Sequence, residues 1–122
     1  MGMDVCGVNP TTEAGRYFCN NLWWWLPLAN YIIQNGPVHL VSKVKHWKSN
    51  DGDGLDADDA AELAKWLRED LASGAVKDYE ERRNAFNGYG EHESFEASYG
   101  FSEHNVAEFA TFLEGSGGFQ IW

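Results

Sequence analysis

The chain has 122 residues, with 43% apolar and 15% aromatic side chains and a formal net charge of −10. This length suits a single domain spanning 1–122, with enough apolar mass for one modest core. The composition argues against a disordered chain, and the charge argues against bulk nucleic-acid binding, which needs a basic face.

The charge is unevenly placed. Residues 1–48 hold Asp4 and Glu13 against Arg16, Lys43, Lys45 and Lys48, while residues 49–122 hold seventeen acids and five bases. Such acidity keeps a small protein soluble and can also occupy a basic groove on another protein. The start, Met1-Gly2-Met3-Asp4, lacks the basic and apolar regions of a secretion signal. The longest greasy run, Leu22 to Ile33, contains Pro27 and Asn30 and falls short of the ~20 residues that span a bilayer. A location inside the cell and two reduced thiols, Cys6 and Cys19, are therefore expected.

In chain order, Met3 to Val8 alternates as a half-buried strand. Asn9-Pro10-Thr11-Thr12 reads as a turn, with a threonine cap opening a short helical turn that Gly15 ends. A helix is predicted from Trp24 or Trp25 to Gln34, with Pro27 in its first turn and Asn35-Gly36-Pro37 as the stop. Trp25, Leu28, Tyr31 and Ile32 share its inner face. Val38 to Trp47 fits either a short helix or an irregular strand. Ser49 to Gly54 is a turn with two Asp-Gly pairs.

Asp56 is placed to cap a helix whose Ala60, Leu63, Ala64, Leu67 and Leu71 recur at helical spacing, with Gly74 as its stop. A second helix follows from Ala75 to about Phe86. Asn87 to Gly100 reads as a loop. Ser102 caps a last helix with Val106, Phe109, Ala110 and Leu113 inward and Gly115 at its end. Phe119 to Trp122 alternates and should pair with the N-terminal strand. The expected fold is α+β, mainly helical, with a small antiparallel sheet formed by the terminal strands.

The most informative local feature is Trp23-Trp24-Trp25. Neighbouring residues on a helix point about 100° apart, so three adjacent indoles cannot all enter one core. Each ring carries roughly 150–250 Å², which makes an exposed one a candidate for recognition or for burial in a homodimer. Lys43, Lys45, His46, Trp47 and Lys48 form the one basic-aromatic cluster. A nucleotide-sized pocket can be drawn from Trp23, Trp24, Trp25, Lys45, His46, Asn50, Asp51 and Asp53. Trp24 would stack on a base, Lys45 would meet phosphate, and Asn50 and Asp51 would hydrogen-bond sugar or base edges.

Other chemistry finds little support. With Gly54 at the sixth position of a calcium loop, the twelfth falls on Ala60, which offers no ligand. His39, His46, His92 and His104 lack metalloprotease spacing. No serine elbow, phosphate loop or dinucleotide motif is present, so no catalytic residue, metal or cofactor is assigned.

Four blocks carry a resemblance: Met-Gly-Met-Asp-Val-x-Gly-x-Asn-Pro; Gly-x-Tyr-Phe-x-Asn-Asn-x-Trp-Trp-Trp-x-Pro-Leu; Ser-Asn-Asp-Gly-Asp-Gly-Leu; and Phe-Leu-Glu-x-x-Gly-Gly-Phe-Gln-Ile. Together they resemble a family of small uncharacterised proteins encoded by bacteriophages and bacteria, over nearly the whole chain. Longer relatives carry a cysteine-rich, zinc-ribbon-like insertion where this chain has Asn87–Gly100, so no zinc carries over. The resemblance implies a small accessory viral protein in the host cytoplasm and lends no activity. It favours a non-enzymatic binding protein serving anti-defence, which either sequesters a nucleotide-like ligand or blocks a basic host defence protein through its acidic helices. The alternatives are a small metal-assisted hydrolase and a virion structural or assembly protein.

Overall fold

The computed structural model describes residues 2–44, 47, 54–87 and 101–121, and for 2, 21–23, 44 and 83–87 the backbone alone. The fold is α+β and mainly helical. Strands β1 (Gly2–Gly7) and β2 (Tyr17–Asn21) lead into helices α1 (Leu22–Asn35) and α2 (Val38–Val44). A two-residue strand β3 (Gly54–Leu55) precedes α3 (Ala57–Ser73) and α4 (Ala75–Asn87). The chain closes with α5 (Glu103–Ser116) and β4 (Phe119–Ile121).

The terminal strands pair as expected, with Val5 opposite Ile121 and Gly7 opposite Phe119 in antiparallel register. Two further strands extend the sheet on either side, giving the order β2-β1-β4-β3. Met3, Val5, Phe18, Phe119 and Ile121 are buried, whereas Tyr17, Cys19 and Gln120 are exposed. The strand alternation thus separates a core face from an outer face.

Helix α3 follows its sequence signals closely. The Asp56 carboxylate accepts the Asp59 N–H at 2.8 Å, and Gly74 ends the helix with φ 87°. That conformation carries little steric cost for glycine. Helix α4 starts at Ala75 and Ser102 caps α5 as expected, but some other boundaries differ. Helix α1 starts at Leu22, so Pro27 is its sixth residue and lies inside the helix. Proline has no N–H to return to the Trp23 carbonyl. Val38 to Val44 is helical. Gly115 does not end α5, which runs to Ser116 with Gly117 (φ 64°) as its cap.

The loop between β1 and β2 satisfies carbonyls at the C-terminus of α5. Thr11 N–H donates to the Gly115 carbonyl at 2.8 Å, Asn9 N–H to Ser116 at 3.1 Å, and Val8 N–H to Gly118 at 2.8 Å. A helix end leaves such carbonyls without intrahelical donors. The approach is close enough that a Cβ on Gly15 would lie 1.9 Å from the Gly115 oxygen.

The core is aromatic. Trp25 stacks on Trp47 with centroids 5.9 Å apart, and both rings meet Phe109 edge-on. Trp25 Nε1 donates to the Trp47 carbonyl at 2.7 Å. A second cluster joins Tyr31, Trp66, Tyr79 and Phe101 beneath α3 and α4. Between β2 and α5, the Asn20 and Asn105 amides exchange two hydrogen bonds of 2.9 and 3.0 Å.

Burial separates the two neighbouring indoles. Trp25→Ala should lower stability by about 3–5 kcal/mol through a core cavity, whereas Trp24→Ala, at a site 39% exposed, should cost less. Urea denaturation of the two variants checks the contrast, and equal losses would contradict this packing.

Candidate functional site

The consecutive tryptophans take different roles because α1 turns each in a new direction. Trp25 is fully buried, while Trp24 remains 39% exposed. Trp23 belongs to the first turn of α1, and its ring lies outside the described residues. The packing expectation therefore holds for the pair that is described: one indole enters the core and its neighbour reaches the surface. Trp25 has no exposed area to offer a ligand, and its N–H is already engaged.

The basic-aromatic cluster divides similarly. Trp47 is wholly buried, so its ring serves the core and cannot stack on a base. Lys43 is paired with Asp59 at 2.5 Å. Lys45, His46, Asn50, Asp51 and Asp53 lie outside the described residues, as do His92 and the two Asp-Gly pairs apart from Gly54. So does the loop expected from Asn87 to Gly100, except Asn87, which ends α4. Among the described members of the drawn pocket, only Trp24 stands at the surface.

Helix α2 is held against α3 by polar side-chain contacts. Lys43 meets Asp59, and His39 Nε2 lies 2.5 Å from Glu62 Oε2. His104 faces Glu108 within α5. Among the described residues, no group of three His, Cys, Asp or Glu side chains converges as a metal site would require.

Two surfaces not foreseen from sequence stand out. The first is the open face of the sheet. Register places Asp4 opposite Cys19 and Cys6 opposite Tyr17. The Tyr17 hydroxyl donates to the Asp4 carboxylate, and this bond, with contributions from Cys19, raises the phenol well above its ordinary range. In this contact the Tyr17 hydroxyl serves as the hydrogen-bond donor.

The second is a shallow groove of about 370 Å³ between α3 and α5, lined by Ala61, Ala64, Lys65, Arg68 and Glu114. Arg68 clamps its floor. Its guanidinium donates to both Glu114 oxygens, at 2.9 and 3.1 Å, and to Thr111 Oγ1 at 2.8 Å. The small alanine side chains open the groove, and the clamp consumes its strongest cation, leaving Lys65 as the remaining charge.

On the surface of α3, Asp58, Glu62 and Glu69 are exposed along one side at helical spacing, with Lys65 among them. On α4, Asp78 is paired with Arg82, while Glu80 and Glu81 have no ion-pair partner among the described residues. This surface, unlike the drawn pocket, consists of described, solvent-facing groups. It can attract cations over a distance comparable to the screening length, ~10 Å at 0.1 M salt.

Compared with protein-family models, with curated proteins and with solved structures, the chain matches none of them.

The Arg68–Glu114 clamp predicts a pH effect. Arg68 holds the Glu114 carboxyl below its ordinary value of 4.5. A depressed carboxyl stabilises the fold above that value, and the gain is lost as pH falls toward the folded-state value. Glu114→Gln should therefore flatten the fall in stability below about pH 4.5 relative to the native protein. Thermal unfolding between pH 3 and 6 (roughly the window of that loss) checks it, and parallel curves would contradict the clamp.

Proposed function

We propose that the protein works by binding, without a reaction of its own, and that it docks the acidic surface of α3 and α4 onto a basic protein partner. One observation carries this reading: Asp58, Glu69, Glu80 and Glu81 lack ion-pair partners among the described residues. Other carboxylates are already committed. Asp56 caps α3, Asp59 and Glu62 hold α2, and Asp70 accepts from the Tyr31 hydroxyl at 2.5 Å. Among the described acids of α3 and α4, Asp58, Glu69, Glu80 and Glu81 form no comparable contact.

The burial of Trp25 and Trp47 favours this reading over a nucleotide pocket, since both indoles are spent on the core. In the setting that the bacteriophage-family resemblance implies, the partner is a host protein with a cationic groove, and covering that groove serves anti-defence. Charged surfaces of opposite sign raise the association rate and fix orientation.

The test neutralises the uncommitted acids together as Asp58→Asn, Glu69→Gln, Glu80→Gln and Glu81→Gln. The native protein should retain a basic protein at fixed stoichiometry on affinity purification and release it at about 0.5 M salt, where the screening length falls to several ångströms. The neutralised variant should lose retention at low salt while keeping its helical circular dichroism. Undiminished retention would refute the acidic docking surface. A retained small molecule that Trp24→Ala abolishes would favour the nucleotide pocket instead.

A further inference from the structure

We propose that β2 is a dimerisation edge, pairing antiparallel with β2 of a second copy so that Cys19 meets Cys19 on the two-fold axis. Gly7 N–H donates to the Arg16 carbonyl at 3.0 Å, in continuation of the β1–β2 register. Positions 16, 18 and 20 therefore turn their backbone groups toward β1. Because the pattern alternates, Tyr17, Cys19 and Asn21 direct theirs away from the sheet. Among the described residues no strand pairs with that side. The Cys19 carbonyl accepts one bond from Asn20 Nδ2 at 3.1 Å and retains a second lone pair.

This edge is self-complementary. With Cys19 opposite its own copy, Tyr17 faces Asn21 of the partner subunit, and all five strand residues overlap. Three hydrogen-bonded pairs result, contributing roughly four to six main-chain bonds, since the Asn21 carbonyl also opens α1. The same register keeps the Phe18 and Asn20 rows of both copies beneath one continuous sheet, whereas a one-residue slip would turn them outward.

The opposite edge is unsuited to this role. Strand β3 has two residues and runs directly into the Asp56 cap of α3. Short edges resist strand addition, whereas a five-residue edge invites it. The self-complementary register argues for a second copy as the occupant, and the charge distribution permits it. Among the described strand residues of the outer face, Asp4 is the single charge, and Tyr17 bonds it. Helix α3 leaves the sheet at β3, about 14 Å from β2 across three strand spacings. Two chains of net charge −10 thus meet along the edge farthest from the point where α3 leaves the sheet. Two apolar side chains bracket this edge: Tyr17, 52% exposed, opens β2, and Trp24 follows its end by three residues.

The salt response separates this contact from the acidic docking surface. Screening weakens attraction between an acidic face and a basic partner, but it relieves repulsion between like-charged copies. Sedimentation of the native protein should therefore show a monomer–dimer equilibrium that shifts toward dimer as salt rises. Cys6→Ser, treated with diamide, should yield a disulfide-linked dimer. Two Cys19 S–H bonds break, one S–S bond forms, and the diazene N=N takes both hydrogens to become a hydrazine. A Cα separation of ~5.5 Å at a hydrogen-bonded pair permits that bridge. Cys19→Ser should give no cross-link, and Cys19→Lys, which sets like charges opposite each other, should sediment as monomer with unchanged circular dichroism.

A native protein that stays monomeric near 100 µM in 0.5 M salt (weaker than a Kd of about 1 mM) would overturn the proposal. So would cross-linking through Cys6 alone, or a Cys19→Lys variant that dimerises as the native chain does. If Cys19→Lys fails to fold, the two serine variants still decide the question.

Discussion

The arrangement depends on satisfying Trp25 in the interior. An indole is the largest side chain and carries one donor, and a buried donor without a partner costs about 1–3 kcal/mol. The Trp47 carbonyl meets that requirement at 2.7 Å, and the Trp47 ring lies stacked at 5.9 Å, so one neighbour supplies both the polar contact and the apolar surface. Residue 47 is thereby fixed against α1 across 22 positions of sequence. Phe109 of α5 closes the cluster edge-on to both rings and carries it on to Phe18 and Phe119 of the sheet. Through this cluster, helix, sheet and Trp47 share a single core.

That constraint explains why a run of indoles is tolerated. Because α1 begins at Leu22, directly after β2, Trp25 is the fourth residue of the helix and points under the sheet, while Trp24 is turned outward by one helical step. Pro27 inside the helix fits the same logic. It is buried, so its ring adds apolar surface to the core while the Trp23 carbonyl forfeits its intrahelical donor.

Helix α3 was legible in the sequence because its local signals agree: a carboxylate cap, apolar spacing of three and four, and a glycine stop. The pairing of β1 with β4 was legible because both strands alternate. Strand β2 was not. Tyr17-Phe18-Cys19-Asn20 alternates too, but it abuts the tryptophan run with no turn residue between, and the greasy run drew the boundary toward α1. Gly115 misled for a different reason. A glycine near a helix end usually marks the cap, yet here Gly117 takes that place, and Gly115 serves close approach instead: a Cβ there would lie 1.9 Å from the Thr12 hydroxyl. Of the drawn pocket, only the division between Trp24 and Trp25 followed from periodicity. Burial of Trp47 could not, since a tryptophan among lysines reads as surface until a distant partner claims it.

Tertiary packing also decides which charges remain for recognition. A carboxylate count overstates the available surface, because capping, helix docking and phenol binding draw on the same groups. In α3 the residues nearest α2 and α1 are consumed, and the solvent side keeps Asp58 and Glu69. The described surface is thus electrostatically polarised. Uncommitted acids gather on the helices that follow β3, while the outer sheet face toward β2 is nearly neutral and offers backbone hydrogen bonds. These surfaces favour different occupants. Charge at long range selects a partner of opposite sign and is weakened by salt, whereas strand pairing is short-ranged and demands shape and register. A chain with both can hold a second copy along one edge and still present its acids outward, so dimerisation would double the acidic surface offered to a basic target without altering either contact.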